Sequence, residues 1–508
     1  MSVAFQSELV PESCRLVGYA WLLVRYDLSL PLRTYCCISE KRLQSQHIEK
    51  GKWTVFDAQL KVEESVSSHL AFALKHENID MLLLKAILKK WGKVALQSYI
   101  LQNPKKILSR KLWFYYEFLL QERLSIDDLP SGKYDDLLDS QSYIVKNKPL
   151  KSKRHKINNN LLGSSDFTPV IRKTALIEKY RENNLDEKIS EVIGTVSSSL
   201  MRRASSFLLL SDSKASFEIE GEHAPQNRIE SWGKIINEAG KKVLSLQEIE
   251  RLQAILFQDS RFTKIGLREE GVFLGDRDRN SDPIPEFVGA RSEDLKTLMS
   301  QWLTLDTALK EDKINPIFHA VIIAFSFVYI HPLEDGNGRI HRYLIHHVLA
   351  SRGFYPKGLI FPISNVILDE ITKYAEILKS HTFPLMQAIK WETTDTHNVK
   401  VLNDTKDLYC YFDCTASCEF IYSCVEKTIS ETLPHELHYL ASFDKAFSSI
   451  DGMIAMPDNK IKMLITLIIQ NDGTLSKKKK LKYFAHLSDE ELRDIERILQ
   501  EKMKYLSI

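Results

Sequence analysis

His331-Pro-Leu-Glu-Asp-Gly-Asn-Gly-Arg-Ile-His-Arg342 is the most informative segment of this 508-residue chain. It sets an imidazole before a proline, then a carboxylate, a Gly-Asn-Gly turn and two arginines. A proton acceptor, an oxygen able to ligate a metal, free backbone N–H groups and two anion partners thus share one short segment. The turn is predicted to open a helix through Arg339, Ile340, Tyr343, Leu344 and His347. Its first amides and the positive end of its dipole would then face a single anion. The segment reads as a phosphate site with a base beside it.

The residues before it supply the context such a site needs. Asn315-Pro316 is an N-cap followed by proline at the first helical position, and the helix it opens runs through Val321, Ala324, Phe325 and Val328. It must stop near Ile330, because His331 precedes Pro332. The pattern is helix, loop, helix, with the chemistry on the loop and on the first turn that follows. No G-x-x-x-x-G-K-[S/T] run exists, so phosphate chemistry on a P-loop is excluded.

The run resembles the signature of the Fic family, H-P-F-x-[D/E]-G-N-G-R-x-x-R, with Leu333 in place of phenylalanine and the other fixed positions matched. The resemblance is specific from about Ser216 to about Ala350. It implies a helical core that transfers a nucleotide monophosphate, usually AMP from ATP, to a hydroxyl of a protein. His331 is then the general base, suited by an ordinary pKa near 6.5. Asp335 falls at the family's divalent-metal position, and a hard carboxylate suits Mg²⁺ or Mn²⁺. Glu334 falls on a variable position and reads as a solvated charge. Gly336, Asn337 and Gly338 are the phosphate cradle, and Arg339 and Arg342 hold phosphates, Arg342 the terminal one.

Two further stretches gain meaning from the same resemblance. Gly266 to Ala290 reads as a hairpin from its Gly, Asp and Pro content. Gly271 to Ala290 resembles the family's flap, which lines up the target segment, with Val272, Phe287 and Val288 as contact positions; an ordinary surface hairpin is the competing reading. Ser216-Phe-Glu-Ile-Glu220-Gly221 matches the family's inhibitory pattern [S/T]-x-x-x-E-[G/N] and lies upstream of the signature. It implies a self-inhibited subclass, in which Glu220 occupies Arg342 and keeps ATP from a productive pose. In some members the same glutamate helps water remove AMP, so the chain could act in both directions.

Bulk properties are those of an ordinary globular protein: 44% hydrophobic, 27% charged, net charge +2. Seven cysteines, an odd number, favour reduced thiols and a cytoplasmic setting over a disulfide framework. The apolar runs Gly18 to Val24 and Ile461 to Ile469 are too short to span a bilayer. Asp80 to Gln102, Ile107 to Glu122 and Ala175 to Leu210 show helical spacing. The basic run Lys146 to Lys156 reads as a solvated connector, and Lys477 to Lys480 as a solvated helix face. Cys410, Cys414, Cys418 and Cys424 form one helical stripe and read as buried thiols, since structural zinc sites prefer paired cysteines across a loop. His346 and His347 read as structural.

The expectation is a mainly α protein: an N-terminal, mainly helical extension (1–165), a Fic-type core with a β-hairpin flap (166–392, the inhibitory helix near 211–222) and a C-terminal helical domain (393–508). Its expected work is self-inhibited AMP transfer from ATP, with Mg²⁺, to a Ser, Thr or Tyr hydroxyl of a target protein, itself included. Removal of AMP at the same site is the first alternative. The second, from another class, is a nucleic-acid-binding regulator with a vestigial core; the intact signature weighs against it, and nucleic acid is disfavoured as a partner. A membrane partner is not expected, and homo-oligomer formation stays open.

Overall fold

The computed structural model describes residues 4–194, 196–257, 261 and 263–502. At its centre lies the helix Pro316–Ile330, in which every residue from Ile317 onward is buried. A helix apolar around its whole circumference has no solvent face and must be packed on all sides. Asn315 starts it by accepting the Ile317 N–H at 2.8 Å. Pro332 bars its continuation, and His331 turns left-handed at φ +54°. The helix Asn337–Ser351, here the signature helix, packs along it. His341 joins the two: its Nδ1 donates to the Ala324 carbonyl at 2.8 Å, and its ring meets Phe325 edge-on.

Helices Gln226–Ile236, Leu246–Phe257, Leu295–Asp312, Ile363–Asp369 and Ile371–Leu385 surround this pair, together with the long helix Ser198–Glu218. The architecture is mainly α, as the sequence predicts. The predicted hairpin pairs Phe273–Arg277 with Pro283–Val288, antiparallel, with a register shift after Leu274. Its base is pinned to the core: the Ala290 N–H donates to the Ile330 carbonyl at 3.1 Å, and the Tyr409 hydroxyl to the Val288 carbonyl at 2.7 Å.

The flanks hold more strand than the periodicity suggests. A four-stranded sheet, ordered Cys14–Leu16, Tyr35–Ser39, Trp53–Phe56, His47–Lys50, lies among the helices of the N-terminal extension. Tyr35–Ser39 is buried at every position, so it lacks the alternation that marks a half-exposed strand. The helical stretch from Asp80 breaks at Gly92, whose φ of +81° separates Met81–Trp91 from Lys93–Gln102. The basic run Lys146 to Lys156 is not a free connector. Leu150–Ser152 within it pairs with Ile157–Asn159, and the half-buried Arg154 pairs with Glu117 at 2.9 Å with its guanidinium over Trp113.

The apolar core does not divide at residues 165 or 392. It runs from Phe5 to Leu433, and a parallel strand pair, Thr168–Val170 with Tyr411–Asp413, crosses the second of these boundaries. A second, smaller core spans Ala446 to Leu499. Within it Ser488 and Glu491 form a capping box, bonded reciprocally at 3.1 and 2.8 Å. The four cysteines of the predicted stripe are buried free thiols. Among the described residues no helix is long and apolar enough to cross a membrane.

Candidate active site

The loop between the two central helices is held from inside. Leu333 is fully buried and bridges Leu267, so it serves as the apolar anchor of the turn. Asn337 grips the same residue twice, accepting the Leu333 N–H at 3.0 Å and donating to its carbonyl at 2.9 Å. Its side chain therefore faces inward, and only its backbone N–H is left for a cradle. Gln253 adds a staple, donating to the Asp335 carbonyl at 3.1 Å and accepting the Gly266 N–H at 2.8 Å. Gly336 sits at φ +91° against the side chains of Leu256 and Phe257, a conformation that strains any residue with a Cβ. Asn337→Ala should lower stability by about 1–3 kcal/mol, because it strands two buried backbone groups. A thermal melt checks it; an unchanged Tm would remove the clamp role.

The signature helix begins where this loop ends. Its first intrahelical bond runs from the Ile340 N–H to the Gly336 carbonyl, which leaves the N–H groups of Asn337, Gly338 and Arg339 facing the helix mouth. His331 stands beside that mouth and is 7% exposed. Its Nδ1 donates to the Val328 carbonyl at 3.2 Å, so Nε2 carries the free lone pair. The Phe287 ring packs against the imidazole at 5.7 Å between centroids. Burial, and then the charge of Arg268, push the His331 pKa down to about 4. Arg268 is itself buried and donates to the carbonyls of His331 at 2.8 Å and Glu270 at 2.7 Å.

Arg342 is 1% exposed, and its nitrogens face Ser216 on the long helix and Glu220 just past its end. Nε donates to Ser216 Oγ at 3.1 Å, Nη2 to the Ser216 carbonyl at 2.6 Å, and Nη1 lies 2.8 Å from Glu220 Oε1. The Glu220 carboxylate also lies over Gly338, where an added methyl group would collide with it. It therefore sits on the helix mouth itself. Burial alone would raise the Glu220 pKa, but the charge of Arg342 and its hydrogen bond, then Arg339 and His331, hold it below the usual carboxylate value.

Local structure explains this placement. Ser216 and Glu220 are one turn apart, and Gly221, left-handed at φ +71°, closes the helix. The Glu222 N–H returns to the Phe217 carbonyl and the Gly221 N–H to the Glu218 carbonyl, the two bonds of a Schellman closure. One turn earlier, Asp212 faces His346 at 2.8 Å and accepts the Ser364 N–H at 2.6 Å. Arg339, 5% exposed, pairs with Glu222 at 2.5 Å and with Asp335 at 3.2 Å. The Asp335 carboxylate is 56% exposed, at the rim of the same mouth.

Residues 243–349 match the model of the Fic/DOC family. This part of the chain is a Fic domain. Among curated proteins, the chain is 34% identical over 97 residues to protein adenylyltransferase fic-1 of Caenorhabditis elegans, covering 19% of this chain and 17% of that one. It is 33% identical over 73 residues to protein adenylyltransferase Fic of Nematostella vectensis, covering 14% and 17%. The chain thus spans about a sixth of the length of these relatives. Two solved structures are similar at 17% identity: a Fic domain-containing signaling protein from Bacteroides thetaiotaomicron (TM-score 0.36, 50% of this chain and 96% of that one) and a Fic family protein from Desulfovibrio desulfuricans (TM-score 0.37, 66% and 90%).

The Fic domain brings His331, Asp335, Gly336, Asn337, Gly338, Arg339 and Arg342 together around one helix start, and the long helix delivers Ser216, Glu220 and Gly221 to it. The flap residues divide. Phe287 packs on His331, and Val272 is half-buried beside Gly289. Val288 is fully buried, so its side chain supports the flap from beneath and does not face a peptide. Sequence reasoning missed Glu222, Gln253 and Arg268. Each acts through a contact to a residue 60 or more positions away, and no local spacing marks it.

Proposed function

We propose that this protein transfers AMP from ATP to a hydroxyl of a protein, itself included, and that Glu220 holds it inhibited. The observation that carries this reading is the Glu220 carboxylate on Arg342 and over Gly338, in the place where a phosphate would meet the helix mouth. A carboxylate there mimics the anion that the N–H groups and the guanidinium are arranged to hold. His331 Nε2, with its lone pair free, takes the proton of the attacking hydroxyl. Phe287 beside it excludes water from the imidazole face. Arg339, Arg342 and the backbone amides stabilise charge on the phosphates during in-line attack at the α-phosphorus.

Asp335 fits a divalent cation. It is a hard oxygen donor at the exposed rim, one residue before the phosphate turn, and a single carboxylate plus phosphates suits Mg²⁺, which keeps most of its waters. When bound, Mg²⁺ would neutralise phosphate charge and orient the chain of ATP.

The deciding experiment compares ATP labelled at the α- and the γ-phosphate, using a Glu220→Gly protein. Label from the α-position should become protein-bound and that from the γ-position should not; the reverse result would make the reaction phosphorylation. Addition of a chelator should abolish labelling, and Asp335→Asn should raise the Mg²⁺ concentration needed. Labelling that persists in chelator removes the metal role.

The depressed His331 pKa sets the pH profile. Its neutral, basic form is already present well below the ordinary value of about 6.5. Loss of Glu220, whose charge favours the protonated ring, lowers the pKa further. The acid limb of kcat/KM for Glu220→Gly should therefore lie well below pH 6.5, at about 4 or lower. A limb at 6.5 or higher would mean that the base is another group or that His331 is hydrated.

A further inference from the structure

Glu222 lies just beyond the inhibitory pattern, past the Gly221 turn, and no role attaches to it there. Its Oε2 is 2.5 Å from Arg339 Nη1, and its Oε1 is paired with Arg228 Nη1. Arg228 and Arg339 lie over the same buried ring, Phe217, at 5.1 and 5.5 Å. Glu222 thus bridges two guanidiniums across one aromatic face. Arg339 has Glu222 on one terminal nitrogen and Asp335 on the other, while its buried Nε–H has no partner in the protein. A guanidinium with a carboxylate on each terminal nitrogen has its charge matched, and a phosphate must compete for those two donors.

We infer that Glu222 is a second inhibitory carboxylate, occupying Arg339 as Glu220 occupies Arg342; this rests on the AMP-transfer reading of the same site. The two glutamates flank Gly221, and the Schellman closure fixes both at once. A nucleotide entering the mouth must displace one carboxylate for each arginine. Arg228 makes the second displacement reversible, because Glu222 retains one cation when it leaves Arg339. It is anchored for that task by its bond to the Leu256 carbonyl at 3.3 Å.

The rival role for Glu222 is to orient Arg339 for phosphate, and the two roles predict opposite signs. Glu222→Gln keeps the shape and removes the charge. ATP affinity, measured by titration with Mg²⁺ present, should rise about tenfold in the wild-type and in the Glu220→Gly backgrounds, since one charge-assisted bond no longer competes. Affinity for adenosine, which has no phosphate, should not change. Glu222→Asp, which withdraws the carboxylate but keeps its charge, should move ATP affinity the same way. Glu218→Gln removes a carboxylate that pairs with Lys214 on the same helix and should have no effect. ATP affinity that is unchanged or weaker in Glu222→Gln and Glu222→Asp, or a gain shared equally by adenosine, overturns the inference. A gain in ATP affinity without α-label transfer by Glu220→Gly supports the blocking role of Glu222 and overturns AMP transfer instead.

Discussion

His331→Ala should reduce AMP transfer by about 10²–10⁴-fold, the usual loss on removing one catalytic base. ATP binding should be nearly unchanged. The imidazole makes its polar contact with the Val328 carbonyl and its ring contact with Phe287, and it pairs with neither arginine of the phosphate site. The loss therefore belongs to the chemical step. The comparison is best made in a Glu220→Gly background, with α-labelled ATP for transfer and calorimetric titration for binding. His331 also ends the central helix in a left-handed conformation, which histidine adopts more readily than alanine, so a melting curve will show whether the fold persists. Transfer at the parent rate by a folded variant would exclude His331 as the base. A parallel collapse of ATP affinity would mean that the imidazole builds the nucleotide pocket.

The parts of this site legible in the sequence are those whose chemistry is local. His331 through Arg342 lie on one loop and one helical turn, so spacing alone places base, carboxylate, amides and guanidiniums on a common mouth. For Asn337 the pattern shows the position but not that its side-chain amide turns inward to Leu333. Glu220 could be assigned only through resemblance, since its partner is Arg342, far along the chain. Glu222 could not be assigned at all, because its reach to Arg339 depends on how Gly221 folds the chain back.

The same division holds for the fold. The hairpin is visible from its turn residues, yet neither the register shift after Leu274 nor the burial of Val288 beneath the flap is. The central helix was legible from its cap and its proline stop. The strand Tyr35–Ser39 was not, because a strand buried on both faces has no period to read. The basic run near Arg154 looked solvated because its partner, Glu117, belongs to a helix that precedes it by many residues. The continuity of the core across residue 392 is carried in part by a parallel pairing between Thr168–Val170 and Tyr411–Asp413, a long-range contact without a sequence signal.

Glu220→Gly should raise auto-AMPylation by about tenfold or more over wild type. The Glu220 carboxylate and a nucleotide phosphate compete for the same guanidinium, and a charge-assisted bond of this kind contributes enough to set a ratio of that order. Because the Glu220 side chain is 37% exposed, solvent screening keeps the effect at the lower end. The substitution leaves the base, the amides of the signature helix and the Ser216 contacts of Arg342 in place. Glycine is also acceptable next to the Gly221 turn, so the helix closure survives. Arg342→Ala should be inactive whether or not Glu220 is present, since the group being contested is then gone. The order of activities expected from labelled-ATP assays is Glu220→Gly, then wild type, then both Arg342→Ala proteins. A Glu220→Gly protein no more active than wild type, with an unchanged melting curve, would show that the ion pair is structural and that the mouth of the signature helix is not where the nucleotide is held off.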